Sequence, residues 1–153
     1  MCKHVRLTDH SHIMKSWQNF ARPQSVTNTS MTISWFNNFN SAVDNGTHPS
    51  NLLELKLTLP PNKSTPPVAL EYASPASDPI YADSQGSHLF LSNGNSFGGY
   101  GQIPLMREFG PNDPAGNDLR WSARFGPNEL VESYRAYKQE WHAIPTTAPS
   151  LVV

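Results

Sequence analysis

A short stretch near the C-terminal end of the chain combines cationic and aromatic side chains. The sequence SYRAYKQEWHAIP, residues 133–145, contains two cations and three aromatic residues. If the stretch is extended, Arg135 and Tyr137 share a face, because side chains alternate along a strand. A guanidinium group binds an oxyanion through paired N–H donors, and aromatic rings can hold an aryl group. The stretch therefore predicts either an anion site or an exposed segment in which Arg135 pairs with Glu132 or Glu140.

Histidine and cysteine residues in the N-terminal segment are candidate metal ligands. His10 and His12 are two residues apart and could point to one side of a strand. No third ligand follows at a recognisable spacing, and the single Cys2 has no second thiol to pair with. The sequence therefore predicts neither a metal site nor an internal disulfide bond, and it indicates no cofactor.

The charge balance and hydropathy argue against two classes of partner. The 153 residues carry a formal net charge of −1, so there is no basic excess to attract nucleic acid. No apolar run approaches the roughly 18 to 20 residues that a membrane helix requires. The charged, His-rich start also lacks the apolar centre of a signal peptide. We predict no membrane segment and no signal peptide, and the sequence leaves the localisation open.

Three Asn-X-Ser/Thr triplets are candidate N-glycosylation sites. They begin at Asn28, Asn45 and Asn62, in polar stretches that predict surface turns. Such triplets also arise by chance in an Asn- and Ser-rich chain. Glycosylation is therefore the expectation for a secreted glycoprotein, and chance is the alternative.

The elements that would position these residues are short strands. Residues 30–36 alternate apolar residues with Ser and Thr, and residues 53–59 place four Leu on one face, the pattern of a half-buried strand. Further strands are predicted at residues 68–72, 87–91, 95–100, 105–109 and 119–125, between Asn, Gly and Pro clusters. Helical periodicity is weak throughout, so we predict an all-β fold.

The predicted strands group into two series of four. Asn93-Gly94 is a strong hairpin signal, because both positions tolerate a positive φ angle, and it lies within a meander of blade size. The first half divides in the same way, into strands at residues 16–22, 30–36, 52–59 and 67–72. We therefore predict a partial β-propeller of about two four-stranded antiparallel blades, with a small β-sandwich as the alternative.

Three runs of sequence resemble the fungal-type arylsulfotransferase family. They are NNFNSAVDNGTHPSNLLELKL, DSQGSHLFLSNGNSFGGYGQIPLMREFGP and WSARFGPNELVESYRAYKQEWHAIPTTAPSLVV. The likeness spans about residues 16–153 and keeps a hairpin, a Gln-Gly segment, a Gly-aromatic-Gly strand, Ser-Tyr-Arg and Trp-X-X-X-Pro in one order. It implies an unmatched segment at residues 1–15, blades at about residues 16–75 and 84–126, and a closing segment at residues 127–153.

The resemblance implies a propeller enzyme that transfers a sulfuryl group from a phenolic sulfate ester to a phenol, without the usual phosphosulfate nucleotide. In bacterial relatives a histidine is the nucleophile and passes through a sulfo-histidine intermediate. Relatives are several times longer and carry an N-terminal signal, so the chain would correspond to a C-terminal fragment of a secreted protein. Two blades cannot close a ring, and we therefore expect self-association or marginal stability.

The resemblance also suggests polar residues that would bind an aryl sulfate. Arg22 would face the channel from the first blade or hold a nearby carboxylate. Gln85 would head the inner strand of the second blade, where it can donate to a sulfuryl oxygen or only shape the turn at Gly86. Arg135 would lie on a short irregular segment near the channel mouth and bind sulfuryl oxygens.

Two aromatic residues and one histidine complete the expected site. Tyr100, between glycines, and Trp141 would contact the aryl group, although packing within a blade is the alternative for Tyr100. His88 lies in an alternating strand near the motif residues and is the candidate catalytic imidazole. His142 is expected to be an ordinary imidazole outside the site.

One departure from the family pattern bears on activity. Relatives tend to carry Gln-His-Asp-Ala-Arg where this chain reads WQNFAR, which places Asn19 at the expected His and Phe20 at the expected Asp. An amide nitrogen has no free lone pair for attack, so Asn19 could bind a sulfate but not carry the sulfuryl group. We therefore expect an incomplete and inactive copy of the enzyme, and enzymatic activity stays an open question. The alternative is a non-catalytic propeller fragment with a binding or structural role.

Overall fold

The computed structural model describes residues 18–38, 48–62, 64–111, 118–140, 142, 144, 146 and 147. The regular elements in these ranges are all β-strands. In chain order they are β1 (Gln18–Val26), β2 (Ser30–Asn37), β3 (Asn51–Thr58), β4 (Val68–Ala73), β5 (Ser87–Phe90), β6 (Ser96–Gly99), β7 (Leu105–Phe109) and β8 (Leu119–Arg124). Across the described ranges, no helix is long and apolar enough to span a bilayer.

The strands form two four-stranded antiparallel sheets. The first has the order β1-β2-β3-β4 and the second the order β5-β6-β7-β8, so that each is a meander of consecutive strands. Each sheet takes its described strands from one half of the chain. The all-β prediction is confirmed, and the arrangement is consistent with two adjacent blades of a partial propeller.

The first sheet is apolar on both faces near its centre. One face carries Trp35 and Leu53, which pair across β2 and β3, together with Leu55, and all three are buried. The other face carries Phe36 and Leu52, which also pair and are fully buried. Because consecutive strand residues point to opposite faces, the adjacent pairs Trp35-Phe36 and Leu52-Leu53 supply both layers. The alternating pattern predicted half-buried strands, whereas these ends of β2 and β3 are buried on both sides.

The two sheets pack face to face around aromatic side chains. Phe36 of the first sheet meets Tyr100, just after β6, edge to face, with ring centroids 5.3 Å apart. Close approach of the sheets depends on Gly98, because a Cβ atom there would lie 2.5 Å from Cδ2 of Leu52. The other buried members of this cluster are Leu52, Tyr72, Ile80, Ala82, Leu105 and Phe109. The inter-sheet core therefore fixes the start of β5 relative to the end of β2.

Residues 133–140, called the strap below, have no regular structure and lie alongside β5. The Gly86 backbone N–H donates to the carbonyl of Tyr134 at 3.3 Å. The Ala136 backbone N–H donates to Oγ of Ser87 at 3.0 Å. These bonds hold the cationic and aromatic stretch of the sequence beside the first strand of the second sheet.

Candidate functional site

Phe20, near the start of β1, is the centre of a group of cationic and aromatic side chains. Arg22 and Arg135 place their guanidinium carbons 4.0 Å and 4.9 Å from the Phe20 ring centroid. Tyr137 meets the same ring edge-on, with centroids 5.9 Å apart. Arg22 belongs to β1, whereas Arg135 and Tyr137 belong to the strap. These four residues, called the Phe20 cluster below, combine two cation–π contacts and one aromatic pair on a single ring.

A β-bulge sets the orientation of Phe20. The register of β1 against β2 shifts between Asn19 and Arg22, and Phe20 has a left-handed φ angle of 59°. A bulge changes the direction of the side chains beside it. A non-glycine residue with a left-handed φ angle lowers the stability of the folded state by on the order of 1 kcal/mol. The Phe20 side chain is buried, at 7% exposure, while Arg22 is exposed. The bulge therefore allows the guanidinium of Arg22 to lie over the buried ring of Phe20, two residues earlier in the same strand.

The Phe20 cluster carries two positive charges, and in the described ranges neither of them is paired with a carboxylate in a salt bridge. Among the described residues, neither Arg22 nor Arg135 forms a salt bridge, and neither Glu132 nor Glu140 pairs with Arg135. Both guanidinium carbons lie within 4.9 Å of one centroid and hence less than about 10 Å apart, so they repel by at least about 0.4 kcal/mol in water. A bound anion would offset this repulsion.

Amide side chains connect the start of β1 to the start of β5. Nδ2 of Asn19 donates to Oδ1 of Asn38 at 2.7 Å. Nδ2 of Asn38 donates in turn to the carbonyls of Ala82 at 2.8 Å and Gln85 at 3.1 Å. Asn38 is buried, so these bonds satisfy amide groups that burial would otherwise penalise. At the position where the resemblance suggests a catalytic histidine, Asn19 therefore holds Asn38, and Asn38 joins the first sheet to the segment before β5.

Gln85 lies at the end of this amide network. It has a left-handed φ angle of 65°, and Gly86 follows with a φ angle of 112°, so the pair forms a tight turn into β5. Oε1 of Gln85 is buried, and no residue in the described part of the chain donates a hydrogen bond to it. A buried acceptor without a donor costs about 1 to 3 kcal/mol. The geometry at Gln85 supports its role in the turn, and a role in ligand binding stays a prediction.

His88 is buried between the two sheets. Its side chain has no exposed surface, with Nδ1 3.2 Å from the carbonyl oxygen of Leu53 and Nε2 3.1 Å from Oγ of Ser96. The rings of Tyr72 and Phe90 lie 6.0 Å and 5.0 Å away. Burial lowers the pKa of His88 to about 4, against the opposing effect of backbone hydrogen bonds. The imidazole is therefore neutral at pH 7, but attack on a substrate would require it to leave this position.

Tyr100 is also part of the inter-sheet core. It is fully buried, and its hydroxyl lies 3.1 Å from Oγ of Ser74. Burial raises the pKa of its phenol. Beside it, the guanidinium carbon of Arg107 lies 6.0 Å from the ring centroid, and Arg107, itself 2% exposed, forms a salt bridge with Asp78. Tyr100 thus occupies a packing position, and the glycine next to it, Gly99, admits Ala136 of the strap.

The remaining sequence predictions concern surface positions. Asn28 and Asn62 are exposed, and Oδ1 of Asn62 accepts a hydrogen bond from the Ser64 backbone N–H at 2.9 Å within a turn. Trp141 and Asn45 lie outside the described residues, as do Cys2, His10 and His12. In the described part of the chain, no three His, Cys, Asp or Glu side chains come together as a metal site would require. Exposure at Asn28 and Asn62 is compatible with the predicted glycosylation, which stays a prediction.

The structure brings together the two arginines that the sequence proposed and separates them from His88 and Tyr100. Phe20 was missed as a site residue, because in the sequence it reads only as a replacement for an expected Asp. The signal available was an aromatic residue two positions before an arginine, but the bulge that brings the two together has no clear sequence signature. Arg107 was also missed, although a charge inside the apolar strand LMREF marks a position that needs a partner.

Comparison with known proteins identifies the family. No curated protein and no solved structure gives a significant match to the chain. The sequence model of the arylsulfotransferase (ASST) family matches residues 6–126. This region is more than half of the chain and contains all strands of both sheets, Phe20 and Arg22, whereas the strap follows it. The chain belongs to the arylsulfotransferase family.

Proposed function

We propose that the chain binds aryl sulfate esters at the Phe20 cluster. The observation that carries the proposal is the convergence of Arg22 and Arg135, from opposite ends of the described chain, on the ring of Phe20. Guanidinium groups donate charge-assisted hydrogen bonds to sulfuryl oxygens. The exposed ring of Tyr137, which packs against buried Phe20, offers apolar contact to an aryl group. A ligand with one anionic and one aromatic end therefore matches the side chains of the cluster.

The family reaction explains what such a ligand would undergo in a complete site. A nucleophile attacks the sulfur atom of the aryl sulfate, the bond between sulfur and the aryl oxygen breaks, and the phenolate leaves and takes up a proton. A second phenol then attacks the sulfur, loses its proton, and releases the nucleophile. Cationic donors stabilise the negative charge that moves onto the oxygens. In this chain Arg22 and Arg135 would supply that stabilisation.

We propose that binding proceeds here without turnover. Asn19 lies where the family resemblance suggests the nucleophile, and its amide nitrogen is a donor without a lone pair for attack. That amide is already hydrogen-bonded to Asn38. His88 has an imidazole, but it is buried and hydrogen-bonded within the core. The burial of His88 supports a packing role.

A non-catalytic structural or binding role within a propeller is the second candidate. The observation that favours it is the network of Asn19, Asn38 and the Gln85 carbonyl, which joins the first sheet to the turn before β5 and includes the position expected to be catalytic. In that case the cationic cluster would serve packing alone. The two candidates differ in whether the isolated chain has measurable affinity for an aryl sulfate.

Binding of nitrophenyl sulfate, followed by NMR titration, tests the proposal. We expect saturable shifts of the Phe20 and Tyr137 ring resonances, with sulfate alone and phenol alone each binding more weakly than the ester. Arg22→Ala and Arg135→Ala should each weaken binding about tenfold, the equivalent of one charge-assisted hydrogen bond of about 1.4 kcal/mol. Arg124→Ala is the matched control, since Arg124 is an exposed arginine on β8 that bonds Asn128.

The proposal fails if the unmodified chain shows no saturable shifts with nitrophenyl sulfate. It also fails if Arg124→Ala weakens binding as much as Arg135→Ala, because the attraction would then be a general effect of positive charge. Repeating the titration at high salt separates specific binding at the Phe20 cluster from a general attraction to positive charge. Contacts of the aryl ring with Tyr137 should persist when long-range electrostatics are screened.

A further inference from the structure

We infer that Ser87 and Gly99 form a seat for Ala136 and thereby position Arg135 and Tyr137 over Phe20. The effect on ligand binding rests on the proposed aryl sulfate site, whereas the positioning of Arg135 and Tyr137 by Ala136 does not depend on it. Ser87 and Gly99 both contact Ala136 of the strap, and through the strap they would act on the site.

Side-chain alternation divides the strap into two functional faces. Ala136 is 8% exposed and packs toward the second sheet, whereas its neighbours Arg135 and Tyr137 are exposed and contact Phe20. Successive side chains of an extended segment point to opposite sides. Whatever fixes Ala136 against the sheet therefore fixes the two residues on either side of it against β1.

The seat combines hydrogen bonds with a steric fit. Oγ of Ser87 accepts from the Ala136 backbone N–H at 3.0 Å and donates to its carbonyl oxygen at 3.1 Å, and Ser87 is fully buried. Both polar groups of one strap residue are thus satisfied by one hydroxyl. Gly99 pairs with Ser87 across β5 and β6, and a Cβ atom at Gly99 would lie 2.5 Å from Cβ of Ala136. The strap can bond to Ser87 at this distance only because residue 99 has no side chain.

The seat lies on the outer face of the second sheet. Gly98, the preceding residue, faces Leu52 of the first sheet, so Gly99 faces the opposite way. The glycine pair therefore admits a neighbouring element on each face of β6. Tyr100, between Gly99 and Gly101, was expected to contact an aryl group, whereas the residue that packs against Gly99 is Ala136.

A second anchor lies two residues further along the strap. Lys138 forms a salt bridge with Glu108, which is 5% exposed, and its Nζ lies 5.3 Å from the ring centroid of Trp121. Nδ2 of Asn95 donates to the same carboxylate at 2.5 Å and holds it in place. Tyr137 is therefore flanked by anchored residues on both sides. A change at either anchor should be transmitted to its ring.

The size of the transmitted shift follows from contact distances. Carbon atoms pack favourably at about 3.5 to 4.0 Å, so Gly99→Ala would require Ala136 to withdraw by about 1 Å from its present distance. Such a shift breaks the bidentate contact with Ser87 and moves the adjacent guanidinium and ring. Displacements of this size are large for residues that must meet a ligand in defined geometry.

A compensating pair of substitutions tests the inference. Gly99→Ala should abolish the nuclear Overhauser contact between the Phe20 and Tyr137 rings and weaken binding of nitrophenyl sulfate fivefold or more. Ala136→Gly removes the opposing Cβ and should leave both properties close to those of the unmodified chain. The double variant Gly99→Ala, Ala136→Gly removes the 2.5 Å contact but leaves the new Cβ atom 3.0 Å from Oγ of Ser87 and 3.2 Å from the Ala136 backbone N. It should therefore recover part of the ring contact and part of the affinity. Gly94→Ala is the control for general destabilisation, since its Cβ would have 3.8 Å of clearance from Pro111 at a φ angle of 84°.

The outcomes separate the inference from the proposed function. Survival of the Phe20–Tyr137 contact in Gly99→Ala, or no recovery in the double variant, would overturn the inference. Loss and recovery of the contact in a chain that binds no nitrophenyl sulfate would uphold the seat and refute the aryl sulfate site. Ser87→Ala is a second variant if Gly99→Ala does not fold, because it removes both hydrogen bonds without adding an atom. It should weaken the ring contact in the same way, and an unchanged contact would count against the seat.

Discussion

Acid should destabilise the folded chain through His88. Burial lowers the pKa of this imidazole from 6.5 to about 4 in the folded state, whereas the unfolded chain has the ordinary value. A lowered folded pKa means that the unfolded state binds the proton more readily, so stability is complete above about pH 6.5 and is lost as the pH falls toward 4. Between about pH 7.5 and pH 5 the expected loss of unfolding free energy is about 2 kcal/mol.

The control for this prediction is His88→Gln, which cannot titrate in this range. The variant should be less stable at pH 7.5, because it disturbs the contacts to Leu53 and Ser96, but its stability should change less between pH 7.5 and pH 5. Burial also raises the pKa values of Glu54 and Glu71, and these groups are present in both proteins. Urea denaturation at several pH values gives the difference. Direct NMR titration of the imidazole is the second measurement, and a native pKa near 6.5 would refute the reasoning.

Three further predictions address activity, association and the core. The chain should release no nitrophenol from nitrophenyl sulfate in the presence of a phenol, and Asn19→His is the variant that could gain activity. If the unmodified chain does turn over the ester and His88→Ala abolishes that turnover, His88 is the nucleophile. The chain should self-associate in light scattering, because Trp121 on the outer face of the second sheet is 40% exposed, and Trp121→Lys should reduce the apparent mass. Asp78→Ala should lower the unfolding free energy, measured by urea denaturation, by about 2 kcal/mol, which is less than is usual for a buried pair because the Asp78 side chain is 63% exposed. Arg107→Met should lower the unfolding free energy by less, because it leaves no unpaired cation in the core.

The sequence predicted the strands well because their signals are local. Alternation in residues 30–36, the Leu repeat in residues 53–59 and the Asn93-Gly94 hairpin each depend on neighbours along the chain. These signals gave the meander order of both sheets. They could not show that Phe36 and Leu52 form the contact with the second sheet, since the pattern assigns that face of β2 largely to Ser and Thr.

The site was predictable only in part. Arg22 and Arg135 were proposed from residue type and family resemblance, and the structure places both at one ring. The position of that ring depends on the bulge at Phe20 and on the seat for Ala136, which are contacts between segments far apart in the chain. His88 and Tyr100 were proposed as site residues but lie in the inter-sheet core. Their strands alternate, but which face is the inter-sheet core depends on the partner sheet.

Phe20 follows directly on Asn19, and the family resemblance suggests an acidic residue at the first position and a histidine at the second. In the family pattern, an acidic residue lies between the histidine and the Ala-Arg pair, and it would provide a carboxylate close to Arg22. Phe20 at that position leaves no carboxylate of its own and provides a ring over which two guanidinium groups lie. A cation over a ring retains its charge, whereas a cation paired with a carboxylate is neutralised. Under the proposed function, the departures at Asn19 and Phe20 would therefore act in opposite directions, since the first would remove the group that carries the sulfuryl and the second would strengthen attraction for an anionic aryl ligand.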